Sequence, residues 1–149
     1  MRYGLLLPNA AGPAHAINAM ELVALSEAAE RAELDSIWVR DRLAIPLHAD
    51  TVPTGWREEV LEPIALLTAI ATRTKRIAVG TFDCVLPLRN PVFLAKAVST
   101  LDCISAGRLL FGIAEEASLK EFTALGVQDH FDQRTEVTNE WLAICHELW

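Results

Sequence analysis

The chain has 149 residues, of which 52 % are hydrophobic, 7 % aromatic and 22 % charged. That length suits one domain with a substantial core, and that balance excludes an intrinsically disordered chain, which needs low hydrophobicity and high net charge. A formal charge of −7 speaks against a nucleic-acid or anionic-membrane surface.

The first apolar run, residues 3–7, predicts a strand. Asn18 and Glu21 stand in capping-box spacing and open a helix over 18–33, with Leu22, Leu25, Ala29 and Ala32 on one face. Residues 36–39 predict the second strand. A polar, proline-containing loop over 41–56 leads to a second helix that runs to about Arg73, with Pro63 in its first turn. Residues 77–82 predict the third strand. Asn90 and Pro91 then read as N-cap and first residue of a helix that ends at Gly107 and buries Val98, Leu101 and Ile104. Residues 109–113 predict the fourth strand. Ser118 and Glu121 start a short helix closed by Gly126. The last helix carries Val137, Trp141, Ile144 and Leu148 along one stripe.

The strands are apolar throughout rather than alternating, as in strands buried on both faces, so the sheet is expected to be parallel. Strand–helix alternation repeated along the chain predicts an α/β fold, either a small doubly wound sheet or part of a (β/α)8 barrel. No glycine-rich dinucleotide fingerprint and no phosphate-binding P-loop motif is present. In both architectures chemistry sits at the C-terminal ends of the strands. Those ends hold Pro8-Asn9, Arg40-Asp41-Arg42, Thr81-Phe82-Asp83-Cys84 and residues 112–116.

Cys84, Cys103 and Cys145 are odd in number and widely spaced, which argues against a disulfide framework or zinc cluster and fits small core residues in a reducing cytoplasm. His15, His48, His130 and His146 show no ligand spacing, so no metal site is expected. No run approaches the roughly 18 apolar residues of a membrane span. Pro8, Asn9, Gly12 and Pro13 interrupt the uncharged N-terminal stretch before it can form a signal-peptide core.

Several segments carry a family resemblance. They are Leu34-Asp35-Ser36-Ile37-Trp38-Val39-Arg40-Asp41, Glu62-Pro63, Thr74-Lys75-Arg76-Ile77-Ala78-Val79-Gly80-Thr81, Pro87-Leu88-Arg89-Asn90-Pro91-Val92 and Leu101-Asp102-Cys103-Ile104-Ser105-Ala106-Gly107-Arg108-Leu109. With the tail from Glu121 to Val127, Arg134 and Leu148-Trp149, the chain resembles the bacterial luciferase-like flavin- and deazaflavin-dependent oxidoreductases. The resemblance covers nearly the whole chain. It implies the first four βα units of a (β/α)8 barrel that normally runs to roughly 250 residues or more, a half-barrel domain over 1–149 with a parallel sheet flanked by helices.

The departures fall at the strand ends. The family's Asp-His after the second strand is here Asp41-Arg42, which trades a group that titrates near neutrality for a permanent cation able to hold an anion. The family's glycine and small aliphatic residue after the third-strand Thr are here Phe82-Asp83. Phe82 either stacks on a flavin ring or plugs the place of one. The family's glycine-rich fourth-strand end is here Gly112-Ile113-Ala114-Glu115-Glu116, with Glu115-Glu116 a solvated helix entry.

The resemblance implies FMN or deazaflavin as cofactor, Asp41 and Arg42 as catalytic residues, and Asn9, Thr81, Phe82 and Asp83 as cofactor-binding residues. It implies a small organic substrate and oxidoreductase or monooxygenase chemistry. The alternative is a non-catalytic half barrel that has lost the flavin site and acts by association. A half barrel leaves two open strand edges and a bare inner face. A homodimer, pairing with another half-barrel chain, a flattened sheet with the last helix folded over that face, or the remainder of a longer protein would each cover them.

Overall fold

The computed structural model describes residues 1–11, 18–43, 59–115 and 117–149. Four parallel strands form the sheet: β1 (Gly4–Leu6), β3 (Ser36–Arg40), β5 (Ala78–Val85) and β6 (Leu109–Ala114), in the order β1-β3-β5-β6. The register runs Gly4↔Ser36, Ser36↔Ala78 and Val79↔Leu109. Between them lie the helices α1 (Ala19–Arg31), α2 (Pro63–Arg73) and α3 (Pro91–Ser105), followed by α4 (Leu119–Ala124) and α5 (Arg134–Leu148). A two-residue antiparallel ribbon, β2 (Ala10–Ala11) with β4 (Glu59–Val60), joins the segments after β1 and before α2. It is too short for a pattern-based prediction. Strand order equals chain order and α1, α2 and α3 pack on one face of the sheet. That is the barrel arrangement rather than the doubly wound one, which reverses order and covers both faces.

The predicted helix starts are set by local hydrogen bonds. Asn18 accepts from the amides of Met20 and Glu21, Glu62 from Ala65 ahead of Pro63, Asn90 from Val92 and Phe93, and Ser118 from Glu121. Helix faces follow the core instead. On α1 the buried residues are Leu22, Val23, Ser26 and Ala29, so the predicted Leu25 and Ala32 are corrected to exposed positions. Ser26 is tolerated inside because its hydroxyl donates to the Leu22 carbonyl (2.8 Å). Ile104 on α3 is likewise exposed, but the helix closes where expected, with Ala106 (φ 57°) as its C-cap and Gly107 (φ 76°) directly after it, both left-handed.

The core fills the space between sheet and helices, with Leu7, Ile37, Val39 and Val79 against Leu22, Leu67, Ile70 and Leu101. The expectation of strands buried on both faces is corrected. The other face is open, and Leu6, Phe82 and Leu110 on it are exposed. Their apolar character suits a barrel interior whose opposite wall lies beyond these four strands. Trp38 covers part of this face, its indole N–H donating to the Ser36 hydroxyl (2.8 Å). A Cβ on Gly80 would stand 2.6 Å from the Trp38 ring, so the ring requires a glycine beneath it. The last helix does not fold over this face. It packs on the helix side, where Trp141 donates to the Arg89 carbonyl (2.8 Å) and Trp149 to that of Ala95 (3.0 Å). Trp141 is half-buried and Leu148 is exposed, so that stripe is only partly core.

Two polar anchors close the N-terminal end of the sheet. The Arg108 guanidinium donates to the carbonyls of Ala71, Thr74, Ile77 and Ser105 and to the Thr74 hydroxyl, binding the ends of α2 and α3 together. The Glu30 carboxylate accepts the successive amides of Lys75, Arg76 and Ile77 at 2.7–3.1 Å. Partial burial works to raise its pKa, but those three amides outweigh it and the group lies below the usual range.

Candidate active site at the C-terminal strand ends

The opposite end is organised by a bulge. Thr81 pairs with Phe111 and Cys84 with Ile113, so Phe82 and Asp83 together face the single residue Gly112. The Thr81 hydroxyl donates to the Gly112 carbonyl (2.8 Å). A Cβ on Gly112 would press into the Thr81 carbonyl oxygen, so the bulge needs a glycine opposite it. The extra residue puts Asp83 at φ 68°, a left-handed conformation that Asp tolerates better than most residues.

Asp83 thereby lines an open cavity of about 390 Å³. Arg40, Asp41, Arg42, Glu121 and Arg134 line it as well. Burial pushes the Asp83 carboxyl above the usual range, against the lowering effect of the Asp41 backbone amide and Arg40. Its Oδ1 is buried without a hydrogen-bond partner among the described residues. A buried acceptor without a donor is costly, and a ligand with an N–H or O–H group would relieve that cost.

Asp41 is buried and its carboxylate is engaged from behind. The Arg89 guanidinium grips both oxygens, at 2.8 Å for Nη2–Oδ1, and the Val85 amide donates to Oδ2 (2.8 Å). Arg89 also reaches Glu62 (3.3 Å). Asp41, the neighbouring end of β5 and the start of α3 are thus tied together. Arg42 is exposed beside the cavity. Glu121, buried in the first turn of α4, accepts the Leu43 amide (3.2 Å) and ties that helix to the end of β3.

Of the other residues the sequence singled out, Asn9 is 1 % exposed. Its amide donates to the carbonyls of Arg40 (2.8 Å) and Leu61 (3.3 Å), and its oxygen accepts from the Arg40 amide (3.0 Å). Thr81 is equally buried. Both sit behind the cavity, not on its wall. Phe82 is 47 % exposed with the Arg40 guanidinium 5.6 Å from its ring, so the plug reading is corrected: the ring lies on the open face. Cys84 is fully buried and its thiol is pushed far up by burial, while Cys145 is buried and Cys103 exposed, which corrects the all-core expectation for the cysteines. His130 places Nδ1 3.0 Å from the Pro87 carbonyl, and His146 is exposed. The helix after β6 begins at Leu119 under its Ser118 cap, later than a helix entry at Glu115 implies. Glu116, His15, His48 and residues 44–56 of the predicted loop lie outside the described residues.

Sequence reasoning missed Arg89, Ser118, Glu121 and Arg134 as parts of this end of the molecule. Arg89 lies 48 positions from Asp41, and no periodicity links them. Among the described residues no helix is long and apolar enough to cross a membrane.

The luciferase-like monooxygenase family model matches residues 1–149. An F420-dependent glucose-6-phosphate dehydrogenase of Amycolatopsis mediterranei (strain U-32) is 30 % identical over 131 residues, 87 % of this chain and 37 % of that protein. The enzyme of the same name from Mycobacterium avium (strain 104) is 32 % identical over 136 residues, with the same coverage. The chain thus spans little more than a third of the length of these curated relatives. Among solved structures, the EDTA monooxygenase of Chelativorans sp. BNC1 superposes with a TM-score of 0.80 at 22 % identity, over 100 % of this chain and 38 % of that one. The oxygenating constituent of 3,6-diketocamphane monooxygenase from Pseudomonas putida, in complex with FMN, gives 0.79 at 22 % identity, over 100 % and 39 %. These likenesses establish the fold as four βα units of the luciferase-like barrel.

Proposed function

Because the chain belongs to the luciferase-like monooxygenase family, we propose that it forms one wall of a flavin- or deazaflavin-dependent oxidoreductase site acting on a small organic substrate. The observation that carries this reading is the bulge at Phe82–Asp83, which opens a polar cavity at the C-terminal ends of parallel strands, the end that holds catalysis in barrel enzymes. The relatives named above use F420, and one structural neighbour holds FMN.

The residues present fit one side of such a ring system. Flavin and deazaflavin rings carry N–H donors, and Asp83 Oδ1 is a buried acceptor without one. Phe82 exposes a flat aromatic face beside it. When bound, the cofactor supplies the redox chemistry. Asp83 accepts a hydrogen bond from the ring or substrate, Phe82 offers apolar contact, and Arg42 holds a fixed positive charge at the mouth. Asn9 and Thr81, one layer back, and Asp41, on the wall with its carboxylate held from behind, act as positioning residues that hold the strand ends in register.

Titration of the purified chain with FMN and with a deazaflavin, read by absorbance and melting temperature, tests the proposal. A saturable spectral change with a raised melting temperature supports it, and the absence of both with either cofactor overturns it. The free cysteines suit a reducing cytoplasm, which cell fractionation checks.

The exposed Leu6, Phe82 and Leu110 favour a second reading. In it the open face is covered by a second copy or by another half-barrel chain, and the protein acts by association without catalysis. A monodisperse monomer in solution that binds no other half-barrel chain would rule it out.

A further inference from the structure

We infer that the same cavity takes a small molecule carrying an oxyanion, carboxylate or phosphate, next to a hydroxyl or amino donor. Arg42 and Arg134 hold the oxyanion, and Asp83 accepts from the donor. The inference rests on the proposed site but not on its redox chemistry.

The charges facing the cavity decide the class of ligand. Asp41 is neutralised from behind by Arg89. Of the remaining groups on the wall, Arg40, Arg42 and Arg134 stand against Asp83 and Glu121, and Glu121 is buried with an oxygen on the Leu43 amide. The cavity is therefore cationic in a chain whose net charge is −7, and its field gathers anions.

Arg134 is held ready for one. Its Nη1 donates to the Phe131 carbonyl (2.8 Å) and its guanidinium lies 5.0 Å from the Phe131 ring centroid, so little side-chain freedom is lost on binding. Arg42 is exposed at the rim.

Asp83 narrows the class further. A simple anion leaves Oδ1 without a donor and places like charge beside it. A simple cation answers Asp83 but meets three guanidinium groups. A molecule with an oxyanion at one end and a donor next to it satisfies both.

The test uses the full chain and four probes at low and high salt: glycerol 3-phosphate, inorganic phosphate, glycerol and methylammonium, read by calorimetry and thermal shift. Glycerol 3-phosphate is expected to bind more tightly than inorganic phosphate, with weaker binding at high salt. Glycerol and methylammonium are expected to give no signal. Arg42→Gln and Arg134→Gln should each weaken glycerol 3-phosphate binding by roughly tenfold, and Asp83→Gly, which keeps the left-handed backbone relaxed, should erase the preference over inorganic phosphate. Unliganded melting temperatures confirm that each variant folds. No binding by either anion, or binding unchanged in both arginine variants, overturns the inference.

Two further arms separate the sources of the oxyanion. If the arginine variants weaken FMN but leave riboflavin and glycerol 3-phosphate unchanged, the oxyanion is the cofactor's phosphate and the substrate assignment is overturned. If glycerol 3-phosphate binds through the arginines while no flavin or deazaflavin binds, this inference stands and the oxidoreductase reading falls.

Discussion

Asp41 and Arg89, 48 positions apart, form a two-oxygen ion pair at the C-terminal end of the sheet, with the Asp41 side chain completely buried and that of Arg89 11 % exposed. Trp141 of α5 holds the Arg89 carbonyl, so one guanidinium links the end of β3 to the helix layer. The Val85 amide completes the carboxylate's shell just beyond the bulge that presents Asp83.

Breaking this pair from one side strands a buried charge. Asp41→Asn is expected to cost about 3 kcal/mol in urea denaturation. Removing both partners, Asp41→Leu with Arg89→Met, should cost clearly less than the sum of the single changes, because no charge is left without a partner. Additive losses would show that the two residues act independently.

Glu30 gives the chain an acid-sensitive latch. Its pKa is lowered on folding, so its stabilisation is present above the ordinary carboxylate range and is lost as pH falls through the lowered value. Glu30→Gln is expected to cost about 1–2 kcal/mol at neutral pH and progressively less on acidification. Melting temperatures of the two proteins from pH 7 downward check this, and parallel curves would contradict it.

Arg108 has no carboxylate partner among the described residues; it serves carbonyls at the ends of two helices. A lysine keeps the charge but not the planar fork that reaches both helices at once. Arg108→Lys is therefore expected to lose about 2–3 kcal/mol of stability, measured by chemical denaturation. A loss well under 1 kcal/mol would mean that charge alone suffices.

Gly80 lies under the Trp38 ring, where a Cβ would stand 2.6 Å from ring carbons. Gly80→Ala should destabilise by about 1–3 kcal/mol through overpacking. Trp38→Leu in the Gly80→Ala background should recover part of that loss, a coupling that a double-mutant cycle measures. Gly112→Ala meets a backbone oxygen instead, so no side-chain change should rescue it.

What the sequence determined alone is whatever short-range interactions decide. Asn18, Pro63, Asn90 and Ser118 announce their helices because a cap is a hydrogen bond across two or three residues, and it forms wherever the chain folds. The alternation of apolar runs and helical stripes identified a parallel α/β sheet, and the general rule for such sheets pointed to the C-terminal strand ends. The half-barrel resemblance implied a bare inner face, and the exposed Leu6, Phe82 and Leu110 lie on it.

Only tertiary structure decided which strand-end residues face the cavity. Asn9 and Thr81 look like Asp83 in sequence, yet they turn inward to carbonyls 31 positions away. Asp83 turns outward because one extra residue in β5 reverses the alternation of the strand at the bulge. Arg89 became visible only as the partner of Asp41. Such contacts depend on how distant segments meet, and neither periodicity nor propensity encodes them.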